Sequence, residues 1–200
     1  MIMPTDAVIP DDLVDAEADA ALAWLDADMD DEALAAARRA AVHVEELPAP
    51  GAGDEDAREA AARRNRVHAL LGEAAWRRRA WEEVTRAYAS LVDEPSTAAR
   101  DRAVFAHRYG VALDKRGDLE GAAQAFEKTV AENAAAGDIR TNTWRILAGV
   151  YQRLGDPERA ARLAERLERW RADLRRGGTG RLPELDPETE SALRVLGYVE

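Results

Sequence analysis

The 200-residue chain contains no cysteine. That removes disulfides, thiolate zinc sites, iron–sulfur clusters and cysteine nucleophiles together. Aromatic residues are scarce as well: two Phe, four Tyr and five Trp, too few for a thick, ring-filled core. No stretch approaches the roughly 20 apolar residues of a membrane span. The opening "MIMPTDAVIPDD" lacks both the basic region and the apolar run of a secretory signal. The expected location is cytoplasmic.

What is present favours helix. Charged residues make up 34% of the chain, apolar residues 46%, and alanine supplies much of the apolar share. Frequent Ala, Arg, Glu and Leu are helix formers, and they suit thin layers of closely packed helices. The length fits one compact domain or a short repeat array, burying roughly 70% of the unfolded surface. The net charge of −11 is unevenly spread. Residues 1–60 hold 17 acids and 3 bases, whereas residues 61–200 hold 22 acids and 25 bases. Such asymmetry suggests contact between the acidic segment and the rest of the chain, or a basic partner. It is also what a solvated helical face looks like.

A period of 38 residues runs through the chain. Gly72, Gly110 and Ala148 align, as do Tyr88, Phe126 and Ala164, and Val84, Ala122 and Ala160. Leu71, Tyr109 and Leu147 fall in one column, and Trp81, Leu119 and Pro157 in another. Each period reads as two helices. The first helices are expected over 58–78, 99–115 and 140–153, the second over 81–93, 119–134 and 157–174. Gly117 and Gly155 suit the left-handed residue that ends a helix; Asp118 and Asp156 suit the cap of the next, and Pro157 a first helical position. Arg79-Ala80 stands where the other two turns have Gly-Asp.

These segments resemble tetratricopeptide repeats (TPRs) over residues 58–175. The carriers are Trp144, Leu147, Ala148, Tyr151, Ala160 and Ala164 in the third; Tyr109, Gly110, Leu113, Ala122 and Phe126 in the second; and Leu71, Gly72, Val84 and Tyr88 in the first. The family's usual period is four residues shorter, and the surplus falls at "EPSTAARD" and "NAAAGDIR". The resemblance implies an all-α, right-handed superhelix of antiparallel helix pairs. A single pair cannot bury its apolar face alone, so pairs must stack and the ends need caps.

Four regions follow. Residues 1–47 form an acidic helical pair, a degenerate repeat or cap, with helices over 11–26 and 30–46. Residues 48–57 are a linker loop, 58–175 the three repeats, and 176–200 a linker with a C-terminal capping helix. In that last helix Asp186 is the expected cap and Pro187 the first residue, with Leu193, Val195, Leu196 and Tyr198 packing on the last repeat. The tail "LDPETESALRVLGYVE" is also similar to a short segment of bacterial sulfatase-like proteins, over about 16 residues. None of their catalytic part is here: Ser90, Ser96 and Ser191 lack a Ser-x-Pro-x-Arg context.

No constellation in the sequence carries catalysis. Asp26, Asp28 and Asp30 have the opening spacing of a calcium loop, but Asp31 stands where glycine is needed and Ala37 where a bidentate Glu is needed. His43, His68 and His107 fall in different helical pairs and form no metal motif. Gly177-Gly178-Thr179-Gly180 lacks the lysine of a phosphate loop. Neither metal nor cofactor is expected, and the chain is not expected to be an enzyme. A pI near 4.9 argues against nucleic acid.

In TPR proteins the first helices line the concave surface where peptides bind. The matching positions here are Arg66, Glu73, Trp76 and Arg77, then His107, Arg108, Asp114 and Lys115, then Asn142, Arg145, Gln152 and Arg153. Six of these twelve are Lys or Arg, against two acids. Such a groove suits an acidic peptide, with Arg able to grip carboxylates in bidentate fashion and Trp76 as an apolar anchor. Ala69 and Glu73 stand where the clamp of chaperone-binding TPR proteins has Lys and Asn, so chaperone-tail recognition is not expected. The expectation is therefore a protein-binding adaptor or scaffold, with residues 1–46 as an intramolecular occupant or neighbour of the groove. Two other readings stand beside it: a self-assembling structural subunit, and an accessory partner of a hydrolase of the sulfatase-like kind.

Overall fold

The computed structural model describes residues 11–45, 55–136 and 141–176. Among them are eight helices and no strand: α1 (Asp11–Asp26), α2 (Asp30–Glu45), α3 (Glu55–Arg77), α4 (Trp81–Ala89), α5 (Ala99–Arg116), α6 (Leu119–Ala136), α7 (Thr141–Arg153) and α8 (Pro157–Arg176). Each helix packs on the next in chain order, and α1 also reaches α3. The result is a stack of four hairpins.

All four hairpins reverse by one backbone device. A left-handed residue ends the first helix, and the amide after it donates to a carbonyl five residues back. Gly117 (φ 85°) and Gly155 (φ 76°) take that position in the second half of the chain. Asp28 (φ 55°) and Arg79 (φ 56°) take it in the first half, against the usual steric preference. The matching hydrogen bonds run from Met29 N to Trp24 O, Ala80 N to Ala75 O, Asp118 N to Leu113 O and Asp156 N to Tyr151 O, each 2.9–3.0 Å. This is the Schellman-type closure expected after a helix. Asp118 and Asp156 then cap the following helices, accepting from Gly121 N and Arg159 N at 2.9 Å. Ala80 has no side chain to do so.

The core is thin and alanine-rich. Ala21, Ala33, Ala36 and Ala37 of the first hairpin meet Leu71, Ala74 and Ala75 of α3, while Val84 and Tyr88 of α4 close the layer. A second cluster joins Val111 and Leu113 of α5 to Ala122 and Phe126 of α6, Leu147, Val150 and Tyr151 of α7, and Ala160 of α8. Tyr88 and Phe126 are the largest fully buried side chains, and each sits on a glycine of the preceding helix, Gly72 and Gly110.

The second helix of the first repeat ends earlier than the periodicity predicts. It stops at Ala89 instead of 93. The chain turns over Ser90–Asp93, tucking Leu91 and Val92 into the interior, ahead of Pro95. The predicted packing of the C-terminal helix lies outside the described residues, as do residues 1–10.

The acidity of the first hairpin is met by the rest of the chain. Asp15 pairs with Arg63 at 3.1 Å, Asp19 with Arg66, Asp31 with Arg78 at 2.8 Å and Glu45 with His68 at 3.3 Å. In the opposite sense, Arg38 of α2 holds Glu83 of α4 at 2.6 Å. The contact between residues 11–45 and the body is thus the stacking of one hairpin on the next.

Candidate functional site

The first helices of the hairpins lie side by side, as contacts between α1, α3, α5 and α7 show. Asp19 (α1) reaches Arg66 (α3), Glu73 (α3) reaches Arg108 (α5), and Asp114 (α5) reaches Arg153 (α7). The sequence-predicted groove residues all sit on this row, but their surroundings differ.

Near the α1 end, the cations are engaged from within. Arg66 holds Asp19 and lies 3.9 Å from Asp15. Arg77 donates to the Leu25 carbonyl at 3.0 Å and to Asp28 at 3.2 Å, with Asp30 at 3.7 Å. These bonds fasten the turn between α1 and α2 to the end of α3.

In the middle, Glu73, Trp76 and Arg108 form one cluster with Tyr88. The Arg108 guanidinium donates to Glu73 and to the Tyr88 hydroxyl (3.0 Å), and lies 5.4 Å from the centre of the Trp76 ring. Trp76 meets Trp81 edge-on at 5.7 Å. Burial pushes the Tyr88 hydroxyl up to about 12, with Arg108 only partly opposing it. Burial works against the Arg108 charge, but Tyr88 and Glu73 outweigh it and hold the proton more tightly than in a free arginine. A guanidinium so placed ties three helices together. Tyr88 reads in the sequence as a packing residue; its polar role was hidden because its partner is 20 residues away on a different helix.

At the α7 end the row is more open. His107 Nδ1 lies 3.1 Å from the Thr143 hydroxyl, and its ring rests 5.7 Å from Phe126. Arg145 donates to Asn142 at 3.1 Å on the same helix. Arg153 meets Asp114 at 2.6 Å, with the Asp114 side chain 9% exposed and that of Arg153 51%. Lys115, Arg145, Gln152 and Arg153 are all exposed. The exposed cations here are Lys115 at the end of α5, Arg145 in the first part of α7 and Arg153 at its end. Among the described residues no group of three or more His, Asp or Glu is placed to hold a metal ion, and no helix is long and apolar enough to cross a membrane.

The fold of stacked hairpins is found in solved structures. The chain is similar to MamA AMB-1, at 16% identity and a TM-score of 0.61, covering 88% of this chain and 80% of that one. It is also similar to a Podosopora anserina kinesin light chain protein with nearly identical TPR-like repeats, at 17% identity and a TM-score of 0.57, covering 92% of this chain and 86% of that one. The fold is thus that of a TPR-like helical repeat protein. No family profile matches the sequence, and no curated protein sequence does.

Proposed function

We propose that this chain is a non-catalytic scaffold that holds a protein partner along the row of its first helices. The single observation that carries the reading is the exposed basic end of that row. Lys115, Arg145 and Arg153 stand there with the amides of Asn142 and Gln152 beside them. An acidic peptide segment is the ligand this chemistry suits. Arg66, Arg77 and Arg108 contribute by keeping the row in register through internal bonds, and Arg153 combines both roles, since it also pairs with Asp114. A TPR-like fold supports the same reading, because stacked hairpins present long ligand-binding faces.

The test is an affinity capture from native lysate at low salt, comparing wild type with Lys115→Glu/Arg145→Glu/Arg153→Glu. A protein captured only by wild type, and released by added salt, supports the reading when both chains are equally helical by circular dichroism. Identical captures by the two chains overturn it.

Self-assembly is the second reading, and one observation favours it. Among the described residues the large apolar side chains that are exposed, Leu13, Leu22, Trp24, Met29 and Val42, belong to the first hairpin. Concentration-dependent light scattering separates a self-associating end from a monomeric scaffold.

A further inference from the structure

Asp114 stands near the end of α5, where the terminal carbonyls of a helix disfavour a negative charge. Its side chain is only 9% exposed, and burial is a second cost for a carboxylate. Its Oδ1 accepts no hydrogen bond among the described residues. What offsets these costs is one cation from the next first helix: Arg153 Nη1 lies 2.6 Å from that oxygen, close but without hydrogen-bond alignment. An asparagine of the same shape would suit the helix end and the burial better. The charge on Asp114 thus does nothing for α5; it compensates Arg153. The other two pairs along the row are built differently. Asp19, which meets Arg66, is mostly exposed, and Glu73 and Arg108 are half-buried together. Of the three, the Asp114–Arg153 pair joins a buried acid to a half-exposed cation. A guanidinium has five N–H donors, so an Arg153 held from the buried side keeps donors for a ligand on the exposed side.

We propose that Asp114 is a built-in competitor of the acidic ligand: it holds Arg153 from within and weakens the grip of that guanidinium on a carboxylate arriving from solvent. The inference rests on the reading of the row as an acidic-peptide surface, and it names the residue that sets affinity there. Two carboxylates on one guanidinium repel each other, and the repulsion is least screened when one of them is buried. Lys115, the next residue along α5, and Arg145 on α7 are exposed on the same row. A ligand that reaches Arg153 together with these two gains three cations but meets the Asp114 charge behind the third.

The test has two arms, both on the full chain and both with Asp114→Asn, which keeps the shape of the side chain and should stay as helical as wild type by circular dichroism. Asp101→Asn is the control. It removes the same charge in the first turn of α5, 13 residues earlier and about 20 Å away, beyond the reach of a charge at ordinary salt. In the first arm no peptide is present. Phenylglyoxal modification of Arg153 is followed by mass spectrometry, and Asp114→Asn should speed it at least about threefold, as expected for releasing a partly exposed ion pair. In the second arm the probe is a fluorescein-labelled octaglutamate peptide, read by fluorescence anisotropy. Asp114→Asn should bind it about three- to fivefold more tightly than wild type, and Asp101→Asn like wild type. Unchanged reactivity of Arg153 in Asp114→Asn overturns the proposal by itself. So does equal affinity of wild type and Asp114→Asn when Lys115→Glu/Arg145→Glu abolishes binding; the reading of the row then stands. Octaglutamate binding that is absent from wild type, or indifferent to Lys115→Glu/Arg145→Glu, overturns that reading and this inference with it.

Discussion

Gly110 lies so close to Phe126 that a Cβ at position 110 would stand 2.9 Å from Cε1 of the ring. Phe126 is fully buried and has nowhere to retreat. Gly110→Ala is therefore expected to lower stability by about 1–3 kcal/mol through overpacking, less the roughly 1 kcal/mol that alanine gains as a helix former. Gly149, in α7, has nothing within 4 Å of its would-be Cβ. Gly149→Ala should be neutral or raise stability by up to about 1 kcal/mol. Urea unfolding of the two variants should give midpoint shifts of opposite sign.

The four turns give a second contrast. Gly117→Ala forces a Cβ into a left-handed residue at φ 85° and should cost about 1–2 kcal/mol. Arg79→Gly relieves the same strain at φ 56° and should raise the thermal midpoint, although the glycine also loosens the unfolded chain. A fall on Arg79→Gly would mean that the Arg79 side chain earns its place by another contact.

Arg108 is the third target. Replacing it with Ala leaves Glu73 and the Tyr88 hydroxyl facing each other without their shared donor. Loss of the shared donor in this half-buried charged network should cost about 1–3 kcal/mol, and the retained Glu73–Arg77 pair at 3.4 Å should bring this toward the low end. Arg108→Ala/Glu73→Ala should be less harmful than the sum of its singles, as a double-mutant cycle would record.

Tyr88 predicts behaviour at high pH. Its hydroxyl is pushed up to about 12 in the folded chain by burial, against about 10 in an unfolded one. The folded state thus binds the proton more tightly. Its stabilising effect is complete below pH 10 and is lost as pH rises toward 12. Burial and the bond to Glu127 also raise Tyr151, so the loss should be shared. Stability measured from pH 9 to 12 should fall less steeply in Tyr88→Phe than in wild type.

Much of the fold was legible in the sequence because it rests on local signals. Gly117-Asp118 and Gly155-Asp156 announce a helix end and the next cap within two residues. The 38-residue columns of glycine and aromatic residues mark where the two helices of a hairpin touch. The Arg79 and Asp28 turns were harder to read, since neither residue is a default for the left-handed shape; only the backbone shows that they match the glycines. The short α4 was hidden because Leu91 and Val92 continue the apolar pattern of a helix while leaving it. The row of first helices was legible as a set of positions but not as a set of charges. Sequence spacing places Arg66, Arg77 and Arg108 on that row, yet says nothing of Asp19 and Tyr88, which approach from other helices, or of Asp28, which approaches from the α1–α2 turn.

The shared turn geometry carries a further consequence. Because every reversal is built alike, the hairpin is an interchangeable module, and array length is a free variable of the architecture. Adding or removing one hairpin alters no remaining turn. It changes the row of first helices by one member, and helices pack about 8–10 Å apart. Under the proposed function, the length of peptide such a row would follow is thereby adjustable in units of two to three extended residues, without any change to the chemistry of the positions that remain.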